Sequence, residues 1–196
     1  MRLNNKSLLK LLLIPITTVC LASCSAVVVG GVAAAGGTGI ATATDARGGS
    51  NVVDDQSLEH KVNQVLSAQI PKGSFTVASY DQKILLAGQV PTSADKAKAN
   101  SAAANTTGVK KVWNYLTVGA NEDAGDITND AYLTTAAKTR LIAQKDVNTN
   151  NIKVVTSNGV VYLLGKQAGK ADQIQAAIVG IKGINKVRGV VNLIGQ

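Results

Sequence analysis

Few residues in this chain could do covalent chemistry. Its 196 residues include two cysteines, Cys20 and Cys24, and one histidine, His60. His60 stands between Glu59 and Lys61 in a polar helical stretch, where a solvated surface histidine is the ordinary outcome. Nucleophilic or metal-assisted catalysis needs partners at suitable spacing, and neither a nucleophile–base arrangement nor a metal-ligand pattern is present. Gly36-Gly37-Thr38-Gly39 is glycine-rich, but it lacks the lysine and the strand-to-helix context that would make it cradle a phosphate. The acidic residues are scattered. The chain therefore reads as non-catalytic, with no cofactor and no metal. Cys24 stands apart, because it directly follows the small residues Ala22 and Ser23 and its thiolate is a competent nucleophile.

What precedes Cys24 explains its setting. Arg2, Lys6 and Lys10 form a basic leader, followed by an apolar run from Leu11 to Leu21 broken only by Pro15, Thr17 and Thr18. A bilayer span needs roughly 20 apolar residues, so this run is too short to cross and fits the apolar core of a secretory leader. Ending in Leu21-Ala22-Ser23-Cys24, the segment resembles the lipobox of bacterial lipoproteins. That resemblance implies cleavage before Cys24, a diacylglyceryl group on its thiol and acylation of the new amino terminus, with residues 1–23 as signal peptide. Two or more acyl chains hold a protein stably where one is marginal. Ser25, rather than the Asp that retains such proteins at the inner membrane, implies the inner leaflet of the outer membrane, facing the periplasm. The competing reading is an ordinary signal peptide with an incidental cysteine.

Removing 23 of the 196 residues leaves 173, enough for one medium domain or two small ones. No thiol then remains for a disulfide, so packing alone must supply stability in an oxidising compartment. Net charge falls from +8 to +5 with the loss of Arg2, Lys6 and Lys10. A basic balance suits an anionic partner, and export excludes nucleic acid. Residues 24–53 read as a tether: Ala26 to Ala43 is almost wholly Ala, Gly, Val and Thr, and Asp45 to Val53 adds charge and glycine. The glycines of the 26–43 stretch argue against a second membrane helix there.

Everything beyond is a repeat. Val77 to Gly88 aligns without gaps on Val154 to Gly165 at a shift of 77. Asp55, Leu58, Leu66, Ala68 and Gln69 match Asp130, Leu133, Leu141, Ala143 and Gln144 at a shift of 75, and Gly108–Val112 aligns with Gly183–Val187 at the same shift. The chain thus holds one unit twice, at 54–120 and 127–196. In each, an Asp is expected to cap an amphipathic helix, at 56–69 and 131–144. Leu58, Val62, Val65 and Leu66 form the buried stripe of the first, and Leu133, Ala137 and Leu141 that of the second. Two short strands joined by a turn follow. Asn158-Gly159 suits a tight hairpin, whereas Asp81-Gln82 implies a looser or strained one. Alanine-rich helices at 93–105 and 169–180 and final strands at 109–118 and 184–194 complete an α-β-β-α-β order. The expected fold class is α+β: each unit a three-stranded mixed sheet with both helices on one face.

Two such units behind a lipobox, with a repeated Leu-Leu-x-Gly element, resemble the BON-domain proteins of bacterial envelopes. Val53-Asp54-Asp55-Gln56-Ser57-Leu58, Thr128 to Thr135, Val154 to Gly159 and Gly183 to Arg188 carry the resemblance, which extends from the lipobox to Gln196. It implies a non-catalytic, lipid-anchored protein that supports outer-membrane integrity. The alternatives are an adaptor for outer-membrane protein assembly and a soluble stress-induced periplasmic protein, the last disfavoured by Cys24.

Charge is divided unequally between the units. Residues 54–120 hold seven lysines against five acids, whereas 127–196 hold nine bases against three acids. The bases of the second unit are either ordinary solubilising charges or a docking surface, at about 1 kcal/mol each beside an anionic layer. Tyr132 lies off the buried stripe, with Lys138, Arg140 and Lys145 close in sequence. An aromatic ring so placed suits a head-group boundary or, alternatively, packs on the other unit. Family resemblance implies that this helix contacts anionic phospholipid, cardiolipin or phosphatidylglycerol, through Tyr132, Leu133, Thr134 and Lys138, with Tyr132 at a tryptophan position. Ala136 departs from a basic residue of the family pattern, which could shift the contact to Arg140 and Lys145. Trp113 and Tyr115 alternate on one strand and so share a face, either between the units or open to a partner. The uncovered face of a three-stranded sheet favours the former.

Overall fold

A computed structural model describes residues 49–120, 123–166 and 168–196. The leader, Cys24 and the tether to residue 48 lie outside them. Two units follow one another. The first contains α1 (Gly49–Gln69), β1 (Ser74–Tyr80), β2 (Lys83–Val90), α2 (Ser93–Ala104) and β3 (Lys111–Val118). The second contains α3 (Ala124–Ile142), a 3₁₀ turn (Thr149–Asn151), β4 (Ile152–Ser157), β5 (Val160–Gly165), α4 (Ala171–Lys182) and β6 (Gly189–Ile194). Each sheet has its middle strand antiparallel to the first and parallel to the last, in order β1-β2-β3 and β4-β5-β6. The expected α+β architecture with mixed three-stranded sheets is what forms.

The helices sit where their stripes require. Leu58, Val62 and Leu66 of α1 and Ala99 and Ala103 of α2 bury against Ile84, Leu86 and Leu116 on one face of the first sheet. Leu141 and Ala137 of α3 and Ile174, Ala177, Ile178 and Ile181 of α4 bury against Val154, Val161 and Leu163 of the second. Val65 is only half-buried. Gly88 within β2 and Gly165 at the end of β5 are glycine because the carbonyl oxygens of Ser74 and Asn151 occupy the space a side chain would need.

The alternate residues of the same strands meet between the units. Ala78, Tyr80, Leu85, Ala87 and Trp113 pack against Tyr162, Leu164 and Leu193. The Tyr115 and Tyr162 rings lie 5.3 Å apart, tilted by 57°. Trp113 and Tyr115 are therefore interface residues. The result is four layers, helices outside and two sheets face to face. Polar contacts ring this apolar seam. Tyr80 Oη donates to the Asn151 carbonyl at 2.9 Å. Lys153 Nζ donates to the Glu59 carboxylate and reaches the Ser79 carbonyl at 3.3 Å, and Lys166 pairs with Asp81 at 3.5 Å.

Two expectations need correction, and between them one open alternative is decided. Both first helices begin seven residues earlier than 56 and 131, so Asp55 and Asp130 lie inside them and cap nothing. Asp123 caps α3 instead, accepting the Asp126 amide at 2.9 Å. The buried Asp carboxylates serve a more distant segment: Asp55 accepts the amides of Asp81 and Gln82, each at 2.8 Å, and Asp130 those of Asn158 at 2.6 Å and Gly159 at 2.8 Å. The open alternative concerns the first turn, which is as tight as the second. Tyr80 pairs with Lys83 as Ser157 does with Val160. Asp81 and Gln82 take φ of 57° and 63°, in the left-handed region that Asn158 and Gly159 occupy at 51° and 72°. It is strained, not loose. Secondly, the last part of the repeat matches at a shift of 78, not 75. The Lys110 amide bonds to the Gln82 carbonyl as that of Arg188 does to Gly159, and Gly108 and Lys186 share positive φ. Matching Gly108 to Gly183 followed residue identity and missed the strand register. The expected start of β6 at 184 correspondingly moves to Gly189, and α4 runs 171–182 instead of 169–180.

Two stability predictions follow from the hairpins. A side chain in the left-handed region costs about 1–2 kcal/mol, part of which glycine recovers. Gln82→Gly should therefore raise stability by about 0.5–1 kcal/mol in urea unfolding, and an unchanged midpoint would show that the turn is unstrained. Burial pushes the Asp130 carboxyl above its ordinary 3.8, outweighing the amide bonds from Gly159 and Asn158 that pull it down. A group that holds its proton more tightly folded than unfolded adds stability as pH falls. The contribution of Asp130 is thus smallest at neutral pH and grows as pH drops through the raised value towards 3.8. Wild type should gain stability relative to Asp130→Asn between about pH 7 and about pH 4.5, and a relative loss would contradict this assignment.

Candidate functional surface

Successive residues of a helix turn by about 100°, so the buried stripe of α3 fixes which side chains face outward. With Leu133, Ala137 and Leu141 inside, the opposite arc carries Ala131, Tyr132, Thr135, Ala136, Thr139 and Ile142. None is charged. Between Ile127 and Ile142 the only charged side chains are Asp130, which is buried, and Lys138 and Arg140, which flank the arc on either side. Tyr132 is 62% exposed, Ile142 69% and Ile127 58%. A helix with an uncharged, weakly apolar outer face edged by bases is suited to lie along an interface between water and lipid.

Duplication supplies an internal control. The α1 residues at the positions of Tyr132, Thr135, Thr139 and Ile142 are Ser57, His60, Gln64 and Ser67, all exposed. Both helices bury equivalent stripes and hold equivalent hairpins, so fold alone does not demand Tyr132 or Ile142. Large apolar side chains left in water on one copy and replaced by serine in the other point to a role outside the fold.

The six residues expected to contact lipid do not form one patch. Tyr132, Lys138 and Arg140 are exposed on α3, and Lys145 is exposed in the turn after it. Leu133 is fully buried and holds the helix to the sheet, out of reach of any surface. Thr134 is half-buried and donates to Thr156 Oγ1 at 2.8 Å, tying α3 to β4. Ile142 was not among the expected residues, although its spacing from the buried stripe places it outward; nor was Ile127, which is exposed in the first turn of α3. His60 is exposed on α1. Among the described residues, no group of three or more His, Cys, Asp or Glu side chains is placed to hold a metal ion. No described helix is long and apolar enough to cross a membrane.

The two units, each a mixed sheet flanked by helices, also match one known domain in sequence. Residues 54–120 and 129–195 each match the BON domain, and the chain belongs to the BON-domain family. It is similar to the outer membrane lipoprotein DolP of Haemophilus influenzae, at 37% identity over 177 residues, 87% of this chain and 90% of that one. The 21 kDa hemolysin of Actinobacillus pleuropneumoniae is 36% identical over 154 residues, covering 76% and 79%. The osmotically-inducible protein Y of Escherichia coli is 27% identical over 143 residues, covering 68% and 71%.

Exposure and burial separate the neighbours Tyr132 and Leu133. Tyr132→Ala should change unfolding free energy by no more than about 0.5 kcal/mol. Leu133→Ala should cost about 2–5 kcal/mol, and equal effects would place Tyr132 in the fold instead of on its surface.

Proposed function

We propose that the protein is a non-catalytic, lipid-anchored component of the bacterial envelope whose second BON domain binds anionic phospholipid. On this reading residues 1–23 are a leader, Cys24 carries the lipid, residues 24–53 form the tether, and units 54–120 and 127–196 are the two domains. The anchor occupies the inner leaflet of the outer membrane, with the domains in the periplasm, and the protein supports the integrity of that membrane. A relative named as an outer membrane lipoprotein supports an envelope setting.

One observation carries the lipid assignment: the outer face of α3 is uncharged, exposes Tyr132 and Ile142, and is edged by Lys138 and Arg140, where its duplicate is polar. Phosphatidylglycerol and cardiolipin offer the matching negative surface. The adaptor reading relied on the sheet face around Trp113 and Tyr115, and the other domain covers that face.

Among the described residues every buried apolar side chain lies between Leu58 and Leu193, so the chain from Ser25 onward keeps both cores and lacks the lipidated cysteine. It should co-sediment with phosphatidylglycerol or cardiolipin vesicles, not with phosphatidylcholine, and salt should weaken the binding. Tyr132→Ala/Lys138→Ala should bind at least about tenfold more weakly, since one base alone is worth about 1 kcal/mol. Equal affinity for neutral and anionic vesicles, or full binding by the double variant, would remove this function from α3.

A further inference from the structure

We infer that the membrane surface of the second domain extends from α3 onto α4, with Val179 entering the head-group boundary and Arg140 and Lys182 holding lipid phosphates. This extends the phospholipid reading of α3 and rests on it. Three observations carry it. Ile174, Ile178 and Ile181 of α4 are buried, yet Val179 is 61% exposed. Helical geometry turns Val179 to the side opposite that buried stripe, with Lys182 at its edge.

The seam between the helices joins the two faces. Gly180 lies in the last turn of α4, where glycine is still less stable than alanine, by up to about 1 kcal/mol. Its missing side chain faces Arg140, whose Cδ would stand 3.8 Å from a Cβ built there. The Arg140 stem therefore lies beside α4 at Gly180, which puts Arg140 on the seam between the two helices. Across the surface run Lys138, the Tyr132 and Ile142 face, Arg140 on the seam, then Val179 and Lys182.

The first domain lacks all of this. With the helices aligned by their ends, Ser101 stands at the position of Val179 and Ala104 at that of Lys182. Tyr132, Ile142 and Val179 are thus three exposed apolar side chains on two helices, each a serine in the other copy. The same divergence on both helices marks one continuous surface. Its chemistry selects the occupant. A protein interface gathers apolar residues in a charge-depleted centre, whereas here bases alternate with single apolar side chains, as an anionic bilayer requires. Asp172, in the first turn, is the acid of α4.

The chain from Ser25 onward contains no cysteine, so Val179→Cys and Ser101→Cys can each carry one environment-sensitive fluorophore. On phosphatidylglycerol vesicles the Val179 probe should brighten and shift to the blue, while the Ser101 probe should not change. Val179→Asp should bind about tenfold more weakly and Lys182→Glu at least about fivefold, with unaltered melting. If the wild type binds in a Tyr132-dependent manner while the Val179 probe stays in water and both variants bind fully, α4 is not part of the surface. If the wild type binds no anionic vesicle, the α3 reading fails and this inference with it.

Discussion

A carboxylate buried inside a helix and bonded to two turn amides holds each half of this protein in shape. A two-residue hairpin points both turn N–H groups away from its own ladder, and buried donors without acceptors are costly. Asp55 and Asp130 supply those acceptors from the first helix of each domain. Charge-assisted bonds of this kind offset much of the desolvation of the carboxylate. Geometry follows from it. Once the carboxylate is fixed on the turn, the helix can neither slide nor rotate over the sheet. Leu58 and Leu133, three residues on, then point inward, and Ser57 and Tyr132 point out. In the first copy the same carboxylate also accepts Ser79 Oγ at 2.6 Å, and its turn tolerates two non-glycine residues at positive φ.

With the frame fixed twice, divergence is confined to faces the frame leaves free. Each three-stranded sheet has one face under helices and one bare, and the bare faces cover each other through Leu85, Trp113, Tyr162 and Leu164. That pairing uses Tyr80, Trp113, Tyr115 and Tyr162 and turns the two helical layers to opposite sides. One layer is polar. The other has exchanged serines for Tyr132, Ile142 and Val179. The first domain, with its polar outside, buries the sheet of the second while offering no competing sticky surface. The strand edges are guarded similarly: Asn114 Oδ1 accepts the Leu116 amide and Asn192 Oδ1 that of Ile194, so side chains occupy backbone donors on β3 and β6.

Much of this was legible in the sequence because periodicity records burial. The stripes of Leu58, Val62 and Leu66 and of Leu133, Ala137 and Leu141, the α-β-β-α-β order and the shared face of Trp113 and Tyr115 all follow from residues that must be inside. Where reading failed, a local signal was serving a distant partner. Asp55 and Asp130 have the residue type of a helix cap, but the amides they accept lie 26 or more residues away. Gly108 and Gly183 attracted an alignment by identity, although the matching backbone bonds of Lys110 and Arg188 put Gly108 at the position of Lys186. Leu133 and Thr134 stood beside Tyr132 in sequence and were grouped with it, although one turn of helix sends them to the core and to β4. Ile142 and Val179 escaped notice because an exposed aliphatic residue is unremarkable alone. Only comparison with the serines of the other copy gives them meaning.

The weakness of the proposed surface is itself informative. Tyrosine, isoleucine and valine with three flanking bases would hold a free domain on a membrane only loosely, and a single acyl chain is likewise marginal. With Cys24 lipidated as proposed, attachment no longer depends on that surface. A tethered domain meets the bilayer at an effective concentration in the millimolar range, so even a weak contact is made most of the time. What the contact then decides is where the anchored molecule dwells. Each base adds about 1 kcal/mol beside an anionic layer and almost nothing beside a neutral one, so occupancy tracks local lipid charge steeply. A stronger aromatic wedge would bind every lipid alike and lose that discrimination. On this view the serine-to-apolar exchanges are small by necessity: large enough to seat the helices at the head groups, and small enough that charge remains the deciding term.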